Sequence, residues 1–132
     1  NRTKYYNAIT KSVGDNIVTD KTFACLIPSG TAIENALSSY LTEKDLYRDY
    51  SHASDFGRVI AAYTWYCVLT GVDSLTEIKL DTIPKAFIRS TLSAEDYVLS
   101  DMEKAIILES VNNALKNPLQ MTQSQYIEAP TN

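Results

Sequence analysis

The sequence predicts an α/β fold, and three observations carry that reading. The run FACLI (23–27) is five apolar residues ended by Pro-Ser-Gly, the pattern of a strand buried on both faces of a parallel sheet. The run then passes at once into a segment of helical period, the strand-to-helix order of α/β units. Everything else of clear period is helical, so the visible chain is expected to be mostly helix with one clear strand.

The elements follow in order. Residues 3–16 read as a helix with Tyr6, Ile9 and Val13 on one face. After FACLI, Thr31 is placed to cap a helix whose stripe is Ala32, Ile33, Ala36, Leu37, Tyr40 and Leu41. Residues 42–55 read as a polar loop. GRVIAAYTWYCVLTG (57–71) is apolar nearly all round and closes on Gly71, which predicts a central buried helix with Trp65, Tyr63 and Tyr66 in the core. EIKL (77–80) suits a short edge strand, and Pro84 opens a helical turn through Ile88. Ser93 and Asp96 resemble a capping box that starts a helix to about Lys116, with Val98, Met102, Ala105, Leu108, Val111 and Leu115 on its apolar face. Pro118 stops it. Residues 1–117 are thus one domain unit, and 118–132 an irregular tail expected to trail on the surface or be disordered.

Composition excludes several functions. Apolar residues at 45% and charged residues at 21% place the chain among ordinary globular domains of single-core size. A net charge of −4 with no basic stripe argues against nucleic-acid binding. No apolar run approaches the length of a membrane span. The two cysteines, Cys25 and Cys67, sit among apolar neighbours and read as buried free thiols rather than a disulfide. With one histidine, they cannot assemble a zinc site of usual spacing, and no metal or cofactor is expected.

A both-face-apolar strand needs sheet neighbours on each side, yet the chain offers one convincing strand and opens directly in a helix without a methionine. Two readings account for this. Either the residues are the C-terminal part of a larger α/β domain, with a leader or larger piece upstream, or FACLI is a buried connector in a helical domain. The first is preferred.

RDYSHASDFGRVIAAYTWYCVLTG (48–71) resembles the last catalytic block of the SGNH (GDSL-type) hydrolases, in which an Asp-x-x-His pair lies in a loop before the final core helix. More narrowly, the chain is similar to a bacterial branch of that superfamily known as a domain of unknown function. The similarity rests on IPSGTAI (27–33), on Arg48-Asp49 before the histidine, and on the GR…AA…W…LTG helix. It covers residues 1–71 well and the remainder loosely. The resemblance implies a three-layer parallel-sheet, flavodoxin-like domain with His52 as general base and Asp49 as its orienting carboxylate. In family members the Gly-Asp-Ser nucleophile block and the oxyanion-hole donors lie upstream. No such block occurs here: VGDN (13–16) has Asn16 in place of a serine. Tyr50 also stands where relatives often have glycine.

The chemistry is consistent with those roles. A serine hydroxyl needs a base to become nucleophilic, and a histidine serves when a carboxylate on its other nitrogen fixes its tautomer. Asp49 and His52, three residues apart in a tight loop, can make that contact, and Ser54 or Asp55 can cap the helix that follows. Ser29, at the carboxyl end of the expected strand, suits a rim or turn role better than a nucleophile, because IPSGT lacks the Gly-x-Ser-x-Gly elbow. Arg48 and Arg58 could meet an anionic substrate, with local ion pairing as the competing role.

The expected function is therefore the Asp-His half of an SGNH-type esterase or deacetylase. From the resemblance, its partners are an acyl ester or acylated carbohydrate and the upstream part of its own polypeptide, and its location periplasmic or extracellular. Homo-oligomerisation is also open. The alternatives are a catalytically degenerate binding module and an unrelated helical domain.

Overall fold

The computed structural model describes residues 1–49, 52–84 and 96–130. Among these residues, five helices and a minimal sheet follow in the order α1 (Arg2–Asn16), α2 (Ser29–Leu37), α3 (Glu43–Leu46), α4 (Asp55–Thr70), β1 (Thr82–Ile83), β2 (Tyr97–Val98) and α5 (Asp101–Lys116). The architecture is mixed, with helix predominating. The two strands pair antiparallel, Thr82 opposite Val98 and Ile83 opposite Tyr97.

The core is the junction of α2, α4 and α5. Ala32 and Ala36 of α2 are fully buried, and their small side chains let the neighbouring helices approach closely. Ile60 and Cys67 of α4 and Ile106, Ile107, Val111 and Ala114 of α5 fill the space between, all without exposed surface. A buried polar side chain at this junction, Asn35, is paired at both ends of its amide. Asn35 donates from Nδ2 to the Ser110 carbonyl at 3.1 Å and accepts from the Thr122 amide at 2.8 Å. A buried amide so satisfied contributes directional specificity that apolar contacts lack.

Several expectations are corrected here. FACLI is neither a strand nor buried: residues 23–27 are irregular, Phe23 is 53% exposed, and Cys25 is exposed rather than a buried thiol. The physical reason is a lack of ladder partners, because β1 and β2 pair only with each other among the described residues. A parallel sheet is therefore not seen among them. Cys67 is buried as expected.

Helix α4 is less central than its composition suggests. It buries Phe56, Gly57, Ile60, Thr64 and Cys67 toward α2, α3 and α5, while Trp65, Tyr66 and Leu69 are more than half exposed on the opposite face. Its C-terminus does close on Gly71 in the left-handed conformation (φ 72°), a geometry that favours glycine.

Helix α2 begins at Ser29, so Thr31 is not its cap. Thr31 is buried inside the helix and donates its hydroxyl to the Pro118 carbonyl at 2.7 Å. In α1, Tyr6 and Val13 are half-buried but Ile9 is exposed. EIKL is irregular, and the edge strand lies just beyond it at β1.

Helix α5 starts later than Ser93–Asp96 would place it. Ser93 and residues 85–88 lie outside the described residues, Asp96 precedes β2, and Val98 is an exposed strand residue. The operative capping box is Ser100 with Glu103: the Glu103 amide donates to Ser100 Oγ at 3.2 Å, and the Ser100 amide donates to Glu103 Oε2 at 2.7 Å. The buried seam is rotated accordingly to Ile106, Ile107, Ser110, Val111 and Ala114. The tail is irregular but does not trail. Thr122, Gln123 and Ser124 bond to Asn35 and Ser38 of the α2 end, and the Ser124 hydroxyl reaches Glu109.

These burials set a stability order. Ile106→Ala, which empties a fully enclosed site, is expected to cost about 2–5 kcal/mol, whereas Trp65→Ala is expected to cost less than about 1 kcal/mol despite its larger side chain. Chemical denaturation of both variants beside wild type measures the two values. A Trp65 loss equal to that of Ile106 would show that the outer face of α4 is packed.

Candidate functional site

The residues expected to act lie in the hairpin-like turn between α3 and α4. Its first arm is α3, one helical turn that presents Leu46 to the core with no exposed surface. Beyond it, Tyr47 and Ala53 form an antiparallel bridge, and the Arg48 amide donates to the His52 carbonyl at 2.9 Å. The second arm closes on the first: the Ser54 amide donates to the Leu46 carbonyl at 3.0 Å. Ser54 then caps α4, its hydroxyl accepting from the Gly57 amide at 3.1 Å and donating to the Asp45 carbonyl at 2.6 Å. Of the two candidate caps, Ser54 takes the role and Asp55 becomes the first helical residue.

Gly57 is what lets these arms meet. A Cβ at that position would stand 2.4 Å from the Leu46 carbonyl oxygen, a backbone atom that cannot swing aside. The first turn of α4 therefore lies against the end of α3 only because residue 57 has no side chain.

This frame holds His52 against Asp49. The ring Nδ1 is 2.8 Å from Asp49 Oδ1 and 2.9 Å from Oδ2, and the His52 backbone amide donates to the same Oδ1 at 3.0 Å. With the carboxylate ionised, Nδ1 carries the proton and donates it, and the lone pair of the neutral ring is left on Nε2. That nitrogen makes no hydrogen bond among the described residues, and the imidazole side chain is 60% exposed. An oriented, accessible proton acceptor is what the arrangement can supply chemically.

The remaining expected site residues are dispersed. The Arg48 guanidinium approaches Asp49 Oδ2 at 3.6 Å, so it braces the carboxylate that holds the histidine. Arg58 pairs with Asp55 at 3.1 Å. Ser29, at the first turn of α2, has a buried hydroxyl with no hydrogen-bond partner and makes no bond to His52. Asn16 ends α1 with its side chain on the Ser12 carbonyl. Tyr50 lies outside the described residues. Sequence reasoning passed over Gly57 as a positioning residue. Its signal was present: a glycine inside the first turn of a helix, where most residues would serve better, marks a close approach.

No group of three or more His, Cys, Asp and Glu side chains among the described residues is arranged to hold a metal. A groove of about 520 Å³ runs beside α4, with Ala62, Tyr63, Tyr66, Val72 and Leu75 among its lining, and none of the expected site residues borders it. No described helix is long and apolar enough to cross a membrane.

Fold and site together define a mixed, mainly helical domain with an Asp-His pair on a braced turn ahead of a core helix. The chain belongs to the family described as Domain of unknown function (DUF4886), whose model matches residues 1–94, a span that includes α1 to α4 and the Asp49–His52 turn. No curated protein and no solved structure matches the chain.

The role of Gly57 makes a prediction of opposite sign to the usual one. Inside a helix, Gly→Ala ordinarily stabilises by about 0.5–1 kcal/mol. Here Gly57→Ala is expected to destabilise by roughly 1–3 kcal/mol, through overpacking against the Leu46 carbonyl. Gly30→Ala in α2, where nothing lies within 4 Å of the added carbon, is the control expected to keep or gain stability. Equal behaviour of the two variants in thermal unfolding would show that the α3–α4 approach is not tight.

Proposed function

We propose that Asp49 and His52 are the general-base half of a serine-hydrolase site acting on acyl esters, with an SGNH-type esterase or deacetylase on acylated carbohydrates as the specific form. The observation that carries this reading is the double contact of His52 Nδ1 with the Asp49 carboxylate, together with an Nε2 that makes no hydrogen bond among the described residues on a side chain 60% exposed. In such a site Nε2 takes the proton of a serine hydroxyl as it attacks the ester carbonyl, then returns it to the leaving alcohol. Asp49 stays ionised throughout, fixing the tautomer and stabilising the imidazolium that forms. The resemblance of residues 48–71 to the SGNH histidine block supports the same assignment.

The nucleophile and the oxyanion-hole donors are then contributed by polypeptide outside these 132 residues. Ser29 does not serve, because its hydroxyl is enclosed and unattached to the histidine. Arg48 acts through Asp49, and Arg58 stands one turn along α4 where an anionic substituent could reach it.

A second reading, an interaction module that keeps the scaffold without turnover, is favoured by one observation. The outer face of α4 exposes Trp65, Tyr66 and Leu69 together, a larger apolar surface than a solvated helix face requires.

Hydrolysis of p-nitrophenyl acetate distinguishes the two. The product of the complete reading frame is expected to turn over, and His52→Ala in it to lower kcat/KM by roughly 10²–10⁴-fold without loss of fold. The 132-residue chain alone is expected to stay at background, since transition-state stabilisation by oxyanion donors is missing. Turnover by the short chain that survives His52→Ala would overturn the assignment, and an inactive complete product would favour the interaction module.

A further inference from the structure

Helix α3 cannot hold its own place. It is one turn of four residues, too short to be stable by itself, so its position is set by what grips it from outside. The buried Leu46 and the approach of Gly57 grip its C-terminal end. A further grip comes from a distant part of the chain, through Arg2 at the start of α1. Its Nε lies 3.0 Å from Glu34 Oε1 on α2, and its Nη1 lies 3.2 Å from Oε1 of Glu43, the first residue of α3. Its Cζ stands 5.8 Å from the centre of the Tyr47 ring, at the other end of α3.

We infer that Arg2 is a positioning residue for the Asp49–His52 pair, an inference that rests on the base role proposed for His52. The path from one to the other is short. Tyr47 caps α3 and opens the reversal of the chain: its amide donates to the Glu43 carbonyl at 2.8 Å, and it bridges to Ala53. The next amide, that of Arg48, donates to the His52 carbonyl. Holding Glu43 and the Tyr47 ring together therefore fixes where the arm that carries Asp49 begins. Every link in this path is a contact that is made, so the path is independent of what covers the rest of the surface.

Arg2 can serve because it is itself held. Glu34 is buried, and the Nε and Nη1 atoms of Arg2 are shielded from solvent without an aligned hydrogen bond, so the grip is ionic. An enclosed pair of this kind differs from the mobile surface pairs that contribute little. Burial pushes the Glu34 carboxyl above its usual range; the Arg2 charge opposes that push, and Glu43 adds to it. One turn along α1, the Tyr6 hydroxyl meets the Thr31 hydroxyl at 3.1 Å and ties α1 to α2. The planar guanidinium fork is what engages two carboxylates and a ring face at once. A lysine ammonium is a point charge on a flexible stem and cannot do all three.

The ring tautomer of His52 tests this in the product of the complete reading frame. Long-range proton–nitrogen correlation reads it where the imidazole is neutral, the signal being identified by its loss in His52→Gln. Wild type should show the Nδ1–H form. Arg2→Met should move the ring furthest toward Nε2–H, and Arg2→Lys should fall between, keeping the charge but not the fork. Ile106→Ala is the control: it lowers stability elsewhere in the core and should leave the tautomer as in wild type. In ester hydrolysis Arg2→Met should lower kcat about tenfold or more with KM little changed, the mark of lost alignment rather than lost binding. Should Arg2→Met fail to fold, the comparison of Arg2→Lys with Ile106→Ala decides. An Arg2→Lys ring indistinguishable from wild type overturns the inference, as does an Ile106→Ala ring shifted as far, or a wild-type ring already in the Nε2–H form. An active enzyme whose kcat ignores Arg2→Met overturns the inference alone. An inactive complete product counts against the hydrolase reading alone, because the tautomer is read without turnover and still decides the role of Arg2.

Discussion

The approach of Gly57 to the Leu46 carbonyl is the contact on which the proposed site depends. It lets the first turn of α4 lie on the end of α3, with the missing Cβ sparing a 2.4 Å collision. Once those two helix ends touch, the intervening residues must reverse direction within a short span. The Tyr47–Ala53 bridge, the Arg48-to-His52 bond and the Ser54 cap are the bonds that complete the reversal. Across that turn Asp49 and His52 meet, with His52 Nδ1 2.8 Å from Asp49 Oδ1. Arg48, at 3.6 Å from the carboxylate, braces the same acid.

The turn is held from beneath by the hydrophobic core. Leu46 at the end of α3 and Ile60 on α4 are fully enclosed, and α4 is pinned by α2 and α5. A site mounted on helix ends that share one core keeps its geometry better than one on a free loop. The same arrangement leaves surfaces uncovered. Three helices crowd one side of α4, the other side carries Trp65, Tyr66 and Leu69 into solvent, and the 23–27 segment has no described strand to join. A core of this size can be complete around α2, α4 and α5 and still leave such surface apolar.

Much of this was legible in the residues. The periods of α1, α2 and α4, the Gly71 stop and the Asp49–His52 proximity follow from spacing, because helix period and a short loop are local properties. What failed was tertiary. FACLI has the composition of a buried strand, but burial and pairing are conferred by neighbours, and none is present among the described residues. Trp65 sits in a helix apolar on every face, and composition alone cannot say which face the core takes. At α5 the error was local. Ser100 and Glu103 make a regular capping box, but an approximate one at Ser93 and Asp96 lay nearer the start of the apolar pattern. The tail shows the converse. Its polar residues lack period, yet they dock because the backbone amides of 122 and 124 meet side-chain acceptors on buried Asn35 and half-buried Ser38. The proposed catalytic role of the Asp-His pair rests on its geometry and on resemblance, because chemistry is read from a site and not from a fold.

The protonation of one ring nitrogen is the most direct measure of whether Asp49 orients His52. His52 is the only histidine, so long-range proton–nitrogen correlation of its ring is free of overlap. Recorded where the imidazole is neutral, the spectrum should show the Nδ1–H tautomer, reverting toward Nε2–H in Asp49→Ala. A wild-type ring already in the Nε2–H form, unchanged by that substitution, would contradict the carboxylate's role and with it the base assigned to this site.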